Sequence, residues 1–371
     1  MKQRLMKTAG IVATLALLTY CAAPKHKAAS GNASLKDAFK KEFLVGAAID
    51  SAQIIEKDPV GVALITKQFN SITAENVMKA EVVQPTWGHY DFTMADQLVA
   101  YGKKNRMAIH GHTLIWHSQM PQFAKQIQNA DSFRTFFTNH INTVAARYSG
   151  KLISWDVVNE ALNEDGTMRN SIFLQKLGPD YVVEAFRLAD KASPNTDLYY
   201  NDYNNEQPKK RAGCIELVKK IKAAGVKIDG VGIQGHWHVG KVPFKEIEES
   251  IEAYAALGMK VAITELDIEV LPRNFTGADV GMRVASNPAL NPYVKGIPDS
   301  VLQQQASDYK ELFRIFTKHQ DKIVRVTLWG VHDGQSWLNG WPVVGRTNYP
   351  LLFDRAGQPK PAYNAVMSLK Q

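Results

Sequence analysis

The feature of this chain that most constrains its fold is the alternation of short strand patterns with helix patterns from Leu35 to the C-terminus. Eight segments are rich in β-branched and aromatic residues, as buried strands are. They are Phe43–Ile49, Ser71–Ala74, Ala108–Thr113, Ile153–Val158, Leu198–Tyr200, Gly230–Gln234, Val261–Glu265 and Val324–Trp329. Helical patterns lie between them at Gln97–Lys104, Ser132–Arg147, Pro208–Ala223, Phe244–Leu257, Val301–Lys318 and Ala362–Leu369. Eight β-then-α units predict an α/β fold, the (β/α)8 TIM barrel.

The bulk composition fits one large globular domain. The chain has 371 residues, of which 45% are hydrophobic and 22% charged, and α/β barrels run past about 250 residues as single units. No linker or repeat interrupts the sequence after Leu35, so we predict one domain over residues 35–371. The formal charge is +8, but lysine and arginine are scattered. Scattered charge is typical of a solvated surface and argues against a nucleic-acid partner.

Residues 1–21 have the pattern of a signal peptide. A basic start, MKQRLMK, precedes the apolar run Ile11–Leu18, which is too short for a stable transmembrane helix. The following LLTYC resembles a bacterial lipoprotein signal, in which Cys21 becomes the acylated first residue. An ordinary secretory leader is the alternative, because Tyr20 departs from the usual small residue. Both predict an exported protein that is secreted, periplasmic or lipid-anchored at the bacterial envelope. Residues 22–34 are small and polar, which predicts a flexible tether.

Two of the strand patterns end on carboxylates. The segment ISWDVVNEAL stops being apolar at Asn159 and Glu160, and KVAITELD does so at Glu265, followed by Asp267. A single glutamate at a strand end is usually a solvated loop residue. Two of them, flanked by polar and aromatic residues, favour a pair of carboxylates facing one cleft at the C-terminal end of a barrel. Such a pair can split a glycosidic bond.

The other predicted strands also end in side chains that suit a sugar. Polar groups hydrogen-bond sugar hydroxyls, and flat indole rings cover the apolar faces of pyranose rings. The candidates are Glu75, Asn76 and Lys79 after the second strand, His112 and Trp116 after the third, Tyr203 and Asn204 after the fifth, Gln234 and His236 after the sixth, and Trp329 and Trp337 after the eighth. We expect His236 to keep a neighbouring carboxylate ionised.

The histidine pair His110 and His112 raises the alternative of a metal-dependent hydrolase. The two residues are two apart and therefore share one face of a strand. His236 and Asp267 could complete a ligand set, but no lysine or third histidine lies at a convincing strand end. We therefore favour histidines that hydrogen-bond a sugar, and we predict no metal.

In combination, the strand-end motifs resemble those of glycoside hydrolase family 10, the endo-β-1,4-xylanases. They are AENVMK, HGHTLIWHSQMP, WDVVNEAL, NDYNNE, QGHW, ITELD and the pair LWG and DGQSW, and they extend from about Leu35 to the C-terminus. The resemblance implies a retaining enzyme that hydrolyses internal β-1,4-xylosidic bonds of xylan by double displacement. It implies xylan and xylo-oligosaccharides as partners and no cofactor. We expect a monomer that contacts a membrane only through a lipid anchor at Cys21.

The resemblance also implies a role for each site residue. Glu160 would be the acid/base and Glu265 the nucleophile, with carboxyl groups about 5–5.5 Å apart. Asn159 would bind the 2-hydroxyl of the sugar under attack, and His236 would hydrogen-bond Glu265, with Asp267 behind it. The substrate-binding residues would be Glu75, Asn76, Lys79, His112, Trp116, Gln119, Gln234, Trp329 and Trp337 on the glycone side and Tyr203 on the leaving-group side.

Two further alternatives stay open. A related retaining barrel enzyme could act on cellulose or mixed-linkage glucan, although Gln119, Trp329 and Trp337 would crowd the hydroxymethyl group that glucose carries and xylose lacks. An inactive, surface-tethered glycan-binding protein is the other, although both carboxylates are present. The segment Asn274–Pro298 departs from the family pattern. Its content of Asn, Pro and Gly predicts an insertion after the seventh strand, on the active-site side.

Overall fold

The protein is described from a computed structural model, in which residues 34–273 and 278–370 are placed. The predicted signal peptide, with Cys21, lies outside the described residues, and so does the predicted tether up to residue 33. Residues 274–277 of the predicted insertion lie outside them as well. Within the described part of the chain, no helix is both long and apolar enough to cross a membrane.

The eight predicted strands form a closed parallel barrel, which confirms the predicted (β/α)8 fold. Each strand pairs in parallel with the next one along the chain, and the last pairs with the first. They are β1 (Leu44–Ile49), β2 (Ser71–Ala74), β3 (Ala108–Gly111), β4 (Ser154–Asn159), β5 (Asp197–Asp202), β6 (Gly230–Ile233), β7 (Lys260–Glu269) and β8 (Ile323–Leu328). Two short strands also pair with the barrel, Ile115–Trp116 with β4 and His236–His238 with β7.

The strands carry no solvated face, because helices cover their outer side and side chains fill the barrel inside. All residues of β2, β4 and β6 are buried. β4 is buried even though it carries Ser154 and Asp156, so these polar groups must find partners inside the protein. Ser154 does so through the ring of His110, with 2.7 Å between Oγ and Nδ1.

Most strand ends differ from the prediction by one or two residues, and two of the differences affect the cleft. The predicted third strand reached Thr113, whereas β3 stops two residues earlier and pairing resumes at Ile115–Trp116. The predicted seventh strand ended at Glu265, whereas β7 continues to Glu269. The continuation arises because the short strand His236–His238 pairs with the end of β7. Glu265 therefore lies within a strand, held by neighbours on both sides.

Helices surround the barrel. They span Leu35–Ala38, Ser51–Ile54, Pro59–Gln68, Ala80–Val83, Thr93–Lys104, Gln122–Lys125, Ala130–Tyr148, Ile172–Leu177, Tyr181–Ala192, Pro208–Ala223, Phe244–Ala256, Asp299–Lys318 and Pro361–Met367. Single 3-10 turns span Pro288–Leu290, Asp333–Gln335, Trp337–Asn339 and Ser368–Lys370. All six predicted helices are present, with ends that shift by up to four residues. The helix at Pro59–Gln68 was not predicted, although Asp58 caps it through the Gly61 N–H at 3.0 Å and a proline opens it.

Helix Pro208–Ala223 shows how the outer ring meets the barrel. Its residues Cys214, Leu217, Val218 and Ile221 are buried and belong to the hydrophobic core. Cys214 is fully buried there, in the role of a small apolar residue that the sequence predicts. The helix therefore packs by one apolar face, as an amphipathic helix does.

Candidate active site

The C-terminal ends of the strands surround one cleft, and it contains most of the predicted site residues. The cleft is lined by Glu75, Asn76, Lys79, His112, Trp116, Gln119, Asn159, Glu160, Gln234, His236, Glu265, Trp329 and Trp337. Ala278 and Val280 also line it, and neither was predicted. Asp267 and Tyr203 lie just outside the lining, Asp267 against His236 and Tyr203 beside the loop that follows Glu160. Both glutamates thus share one cleft.

Glu160 follows β4 directly and has a left-handed backbone conformation, with φ 57°. This conformation costs roughly 1–2 kcal/mol for a residue other than glycine, so its surroundings must hold it. Its N–H donates to the Asn201 carbonyl at 2.9 Å, and its own carbonyl accepts from Arg169 Nε at 3.0 Å. Glu160 is 4% exposed. Its Oε1 accepts hydrogen bonds from Asn159 Nδ2 and Gln234 Nε2, both at 3.1 Å.

Glu265 is held by a histidine that lies between two carboxylates. Its Oε2 is 3.1 Å from His236 Nε2, and His236 Nδ1 is 3.0 Å from Asp267 Oδ1. The other oxygen of Asp267 accepts from Trp337 Nε1 at 2.8 Å. This chain of contacts fixes the ring of His236 and aims one N–H at Glu265.

Asn201 on β5 connects the two halves of the site, and the sequence reasoning missed it. Its Nδ2 donates to Glu265 Oε1 at 2.8 Å and to Asn159 Oδ1 at 2.9 Å. Its Oδ1 accepts from Thr264 Oγ1 at 2.7 Å. The signal was present in YYNDYNNE, because Asn201 directly follows the predicted strand Leu198–Tyr200, at the end of the strand where a barrel carries its site residues. Asn201 therefore holds Asn159 and Glu265 in a fixed relation.

The surroundings move the pKa values of the two glutamates apart. Burial, and after it the Asp202 carboxylate, raise the pKa of Glu160 to about 7, and Glu265 contributes a smaller part. Burial opposes ionisation of Glu265 too, but the hydrogen bond from His236 and the charges of His112 and His236 together outweigh burial and lower the pKa of Glu265 from its usual value. The pKa of Glu160 is thus raised and that of Glu265 lowered, the pattern of an acid and a nucleophile.

His236 is a cation at neutral pH. Burial lowers its pKa, but the carboxylate of Asp267 and the hydrogen bonds to Asp267 and Glu265 raise the pKa to about 10. An imidazolium carries an N–H on both ring nitrogens, so it can donate toward Glu265 while it faces Asp267. This arrangement supports the expected role of His236 in keeping a carboxylate ionised.

A polar network lies at the β2 side of the cleft. Lys79 Nζ donates to Asn76 Oδ1 at 2.9 Å and to Gln119 Oε1 at 2.7 Å, and Gln119 Nε2 donates to Asn76 Oδ1 at 3.2 Å. Burial raises the pKa of Glu75 to about 7 and lowers the pKa of Lys79. Lys79 Nζ also lies 4.8 Å from the centre of the Trp116 ring. Such pre-oriented donors and acceptors are suited to sugar hydroxyls.

The two histidines of β3 and its following loop share one carboxylate. His110 Nε2 and His112 Nδ1 each lie 2.9 Å from Asp156 Oδ2. Only His112 reaches the cleft, where its ring meets Trp329 edge-on at 5.3 Å. His110 and His112 therefore face the same carboxylate, as their spacing predicts. His112 lines the cleft, whereas His110 is buried behind it.

Indole rings form one wall of the cleft. Trp337 lies 5.0 Å from His236 and stacks on Trp341 with ring centres 4.5 Å apart and planes 21° apart. Trp329 and Trp337 both line the cleft. Rigid, flat apolar surfaces of this kind suit pyranose rings.

The described part of the predicted insertion, residues 278–298, follows β7 and reaches the cleft. Ala278 is 4% exposed, and it lines the cleft together with Val280. Between them, the carbonyl of Asp279 accepts from Trp341 Nε1 at 3.1 Å. The Asp279 carboxylate lies 3.9 Å from Arg169, on the loop that follows β4. This segment thus contacts the loops of both β8 and β4.

Metal ligation finds no support in this geometry. Among residues 34–273 and 278–370, no three His, Cys, Asp or Glu side chains are grouped as a metal site. The absence of a cofactor stays a prediction.

Comparisons with known proteins agree with this geometry. The family model of glycosyl hydrolase family 10 matches residues 34–369. The chain is 43% identical over 349 residues to endo-1,4-beta-xylanase A of Xylanibacter ruminicola, with 92% of this chain and 94% of that protein covered. It is 39% identical to the thermostable celloxylanase of Thermoclostridium stercorarium, with 90% and 87% covered. A solved GH10 endoxylanase from a sugarcane soil metagenome superposes with a TM-score of 0.87 at 41% identity, covering 91% of this chain and all of that one.

Proposed function

The chain belongs to glycosyl hydrolase family 10, and on this premise we propose that it is a retaining endo-β-1,4-xylanase. It hydrolyses internal β-1,4-xylosidic bonds of xylan by double displacement, with Glu160 as acid/base and Glu265 as nucleophile. One observation carries the proposal: the buried glutamates Glu160 and Glu265 share one cleft, and their surroundings move their pKa values in opposite directions. Retaining glycosidases need such an acid and such a nucleophile, with carboxyl groups about 5–5.5 Å apart.

In the first step, Glu265 attacks the anomeric carbon while Glu160 protonates the leaving oxygen. The bond between the anomeric carbon and that oxygen breaks as the bond to Glu265 Oε forms. Glu160 can supply the proton because burial and Asp202 keep its pKa near 7. Glu265 can attack because His236 keeps it ionised. Asn159, whose Oδ1 accepts a hydrogen bond from Asn201 Nδ2, binds the 2-hydroxyl of the sugar.

In the second step, Glu160 acts as base toward water. Ester formation neutralises Glu265, so one source of the raised pKa of Glu160 disappears. Glu160 then takes a proton from water, and the resulting hydroxide-like oxygen attacks the anomeric carbon. Glu265 leaves as a carboxylate, and the configuration at the anomeric carbon is that of the substrate.

The cleft walls favour xylan over glucan. Gln119 is fixed by Lys79 and Glu81, and Trp337 is fixed by Asp267 and Trp341, so neither side chain yields easily to a hydroxymethyl group. A β-1,4-glucanase activity is the second candidate, because one relative at 39% identity is named a celloxylanase. Carboxymethyl-cellulose is therefore the appropriate competing substrate.

We also propose that the protein is exported from the cytoplasm. The basic start, apolar run and Cys21 of residues 1–21 support export, either as a secreted or periplasmic monomer or as a lipoprotein anchored at the envelope. Metabolic labelling with a radioactive fatty acid decides between the two routes. A lipoprotein incorporates label that Cys21→Ser abolishes, whereas an ordinary leader leaves both forms unlabelled.

Hydrolysis of xylan, compared with carboxymethyl-cellulose and with a chelator present, tests the activity. We expect xylo-oligosaccharides from the wild type and a loss of many orders of magnitude in Glu265→Ala. Products of retained configuration, followed by NMR on a short xylo-oligosaccharide, check the double displacement. If the wild type binds xylan and releases nothing, the cleft is a binding site and the assignment of both glutamates is wrong. Abolition by the chelator would point to the metal-dependent alternative.

A further inference from the structure

Arg169 donates hydrogen bonds to the loop that carries the acid/base residue. We propose that Arg169 is a positioning residue for Glu160: it fixes the backbone from which the carboxyl group projects and so sets where the proton is delivered. The inference rests on the proposed function above. It concerns a residue outside the cleft lining, on the far side of the loop.

Arg169 returns to Glu160 through a short turn of the chain. Leu162 and Met168 form an isolated antiparallel bridge, and the Arg169 N–H donates to the Ala161 carbonyl at 2.7 Å. The turn between them places Gly166 against the helix that bears Gly213. The side chain of Arg169 is thereby brought back beneath the residues that follow β4, where it is 16% exposed.

The guanidinium group makes three hydrogen bonds in this position. Its Nε donates to the Glu160 carbonyl at 3.0 Å, and its Nη2 donates to the Leu162 carbonyl at 3.2 Å. Nη2 also donates to the Tyr203 hydroxyl at 3.0 Å. One rigid, planar group thus ties two carbonyls of the acid/base loop to the expected leaving-group side of the cleft.

The backbone of Glu160 needs such a support. Its φ of 57° is left-handed, a conformation that persists at a non-glycine residue only when its surroundings impose it. The N–H of Glu160 is already fixed by Asn201 on β5, and Arg169 fixes the carbonyl on the other side. Relaxation of this residue would swing its side chain away from the bond to be cleaved, which is held by the rest of the cleft.

Arg169 donates hydrogen bonds to two backbone carbonyls and to the Tyr203 hydroxyl, and none of them goes to the Glu160 carboxyl group, which accepts from Asn159 and Gln234. Arg169 therefore fixes the position of the Glu160 carboxyl group and does not contact the reacting atoms. Its loss should weaken proton donation and leave attack by Glu265 intact. These two consequences are separable, because a good leaving group departs without protonation and a poor one does not.

The test compares two aryl β-xylobiosides in the full-length enzyme. Phenolate is a poor leaving group and 2,4-dinitrophenolate a good one. General acid catalysis contributes about 10²–10⁴-fold, so we expect Arg169→Met to lower kcat/KM on the phenyl substrate by roughly 10-fold or more. On the dinitrophenyl substrate kcat/KM should change by less than about 3-fold. Azide should raise kcat of the variant on the dinitrophenyl substrate and yield xylobiosyl azide, because azide attacks without a base.

Two further variants keep the test decisive. Arg169→Lys preserves the cation and the stem but not the planar fork, and it should show the same substrate dependence to a smaller degree. Arg211→Lys is the matched control: that arginine is 15% exposed and donates to the Glu246 carbonyl at 3.1 Å and to Glu249 at 2.9 Å, away from the cleft. We expect it to affect both substrates equally.

Equal losses on both aryl substrates in the Arg169 variants would overturn the positioning role, and so would no loss on either. Circular dichroism on each variant identifies a chain that fails to fold, in which case Arg169→Lys carries the comparison. Failure of the proposed function is distinct, since the wild type itself would then hydrolyse neither substrate.

Discussion

At the scale of single residues, two glutamates of the same intrinsic chemistry acquire different tasks from their neighbours. Glu160 is buried, and its carboxyl group accepts from two amides, which do not carry charge. Glu265 is buried to a similar degree but faces an imidazolium. Burial disfavours ionisation of both, and only the charged partner reverses it. The division of labour is therefore electrostatic, and it is visible in the pH dependence.

We expect the profile of kcat/KM against pH to have its alkaline limb near pH 7. Glu160 must be protonated for the first step, and its pKa is about 7, so kcat/KM falls as pH rises through that value. Glu265 must be ionised, and its pKa lies below 4.5, so the acid limb lies below that pH. Initial rates on a xylo-oligosaccharide between pH 3 and pH 10 measure both limbs as properties of the pair. An alkaline limb near 4.5 would contradict the environment described for Glu160.

Asp202→Asn should move that alkaline limb to lower pH. Asp202 carries the largest charge contribution to the raised pKa of Glu160. Its replacement removes a negative charge near Glu160 and leaves Lys210, which pairs with Asp202 at 2.9 Å, with Glu164 at 3.3 Å as its remaining carboxylate partner. The position of the limb, not the maximal rate, is the quantity to compare, since loss of a buried ion pair also destabilises the fold. An unmoved limb would show that the charge of Asp202 does not raise the pKa of Glu160.

His236→Asn should move the acid limb in the opposite direction. The shorter side chain cannot donate to Glu265 while it faces Asp267, so the hydrogen bond that lowers the pKa of Glu265 is lost. The pKa of Glu265 then rises, and kcat/KM falls at a higher pH on the acid side. Trp337→Phe is the comparison, because it removes the 2.8 Å hydrogen bond to the outer oxygen of Asp267 and leaves His236 itself in place. A shift in that variant as large as in His236→Asn would assign the effect to Asp267 instead.

At the scale of elements, the strands were predictable and the links between them were not. A buried parallel strand is a run of β-branched and aromatic residues, so each strand can be recognised in the sequence. The C-terminal ends of the strands form the catalytic face of the barrel. Glu160 and Glu265 were predicted as the polar ends of two apolar runs, although β7 continues past Glu265 to Glu269. Asn201 and Arg169 were not predicted, because their importance lies in partners 64 and 9 residues away. Pairing across the barrel cannot be read from one strand at a time.

A close approach between a helix and a loop gives a prediction at this scale. Gly213 lies inside helix Pro208–Ala223, where glycine is less favourable than alanine by roughly 1 kcal/mol. A Cβ there would meet the Gly166 carbonyl oxygen at 2.2 Å and its Cα at 2.7 Å. Both are backbone atoms, so the turn that carries Arg169 would have to move.

Gly213→Ala should therefore destabilise the protein by about 1–3 kcal/mol, the usual cost of overpacking, and it should lower activity through the acid/base loop. Chemical denaturation and kcat/KM on xylan measure the two effects. Gly340→Ala is the control, because its Cβ would lie 3.7 Å from the nearest atom, an ordinary contact. A neutral or stabilising Gly213→Ala, as helix propensity alone predicts, would show that the turn can shift freely.

At the scale of the whole molecule, the two ends of the domain meet beside the seam where the barrel closes. β1 pairs with β8, so the first and last strands are neighbours. Near the C-terminus, Lys370 Nζ lies 2.6 Å from Glu42 Oε1 and 4.9 Å from the centre of the Phe39 ring. A closed barrel has no free edge, so loosening one seam affects the pairing of every strand.

A chain that ends at Lys360 should consequently lose much of its stability. Helix Pro361–Met367 buries Val366 and Met367, and fully burying such a side chain contributes about 1.5–3 kcal/mol. The truncation also uncovers Phe39, so the loss is a large share of the roughly 5–15 kcal/mol that keeps a domain folded. We expect thermal unfolding to begin about 10 °C lower or more. Removal of residues 1–33 is the matched truncation, and it should leave both Tm and xylan hydrolysis unchanged, because the family match starts at residue 34. Equal losses from the two truncations would mean that the domain extends further toward the N-terminus than the barrel described above.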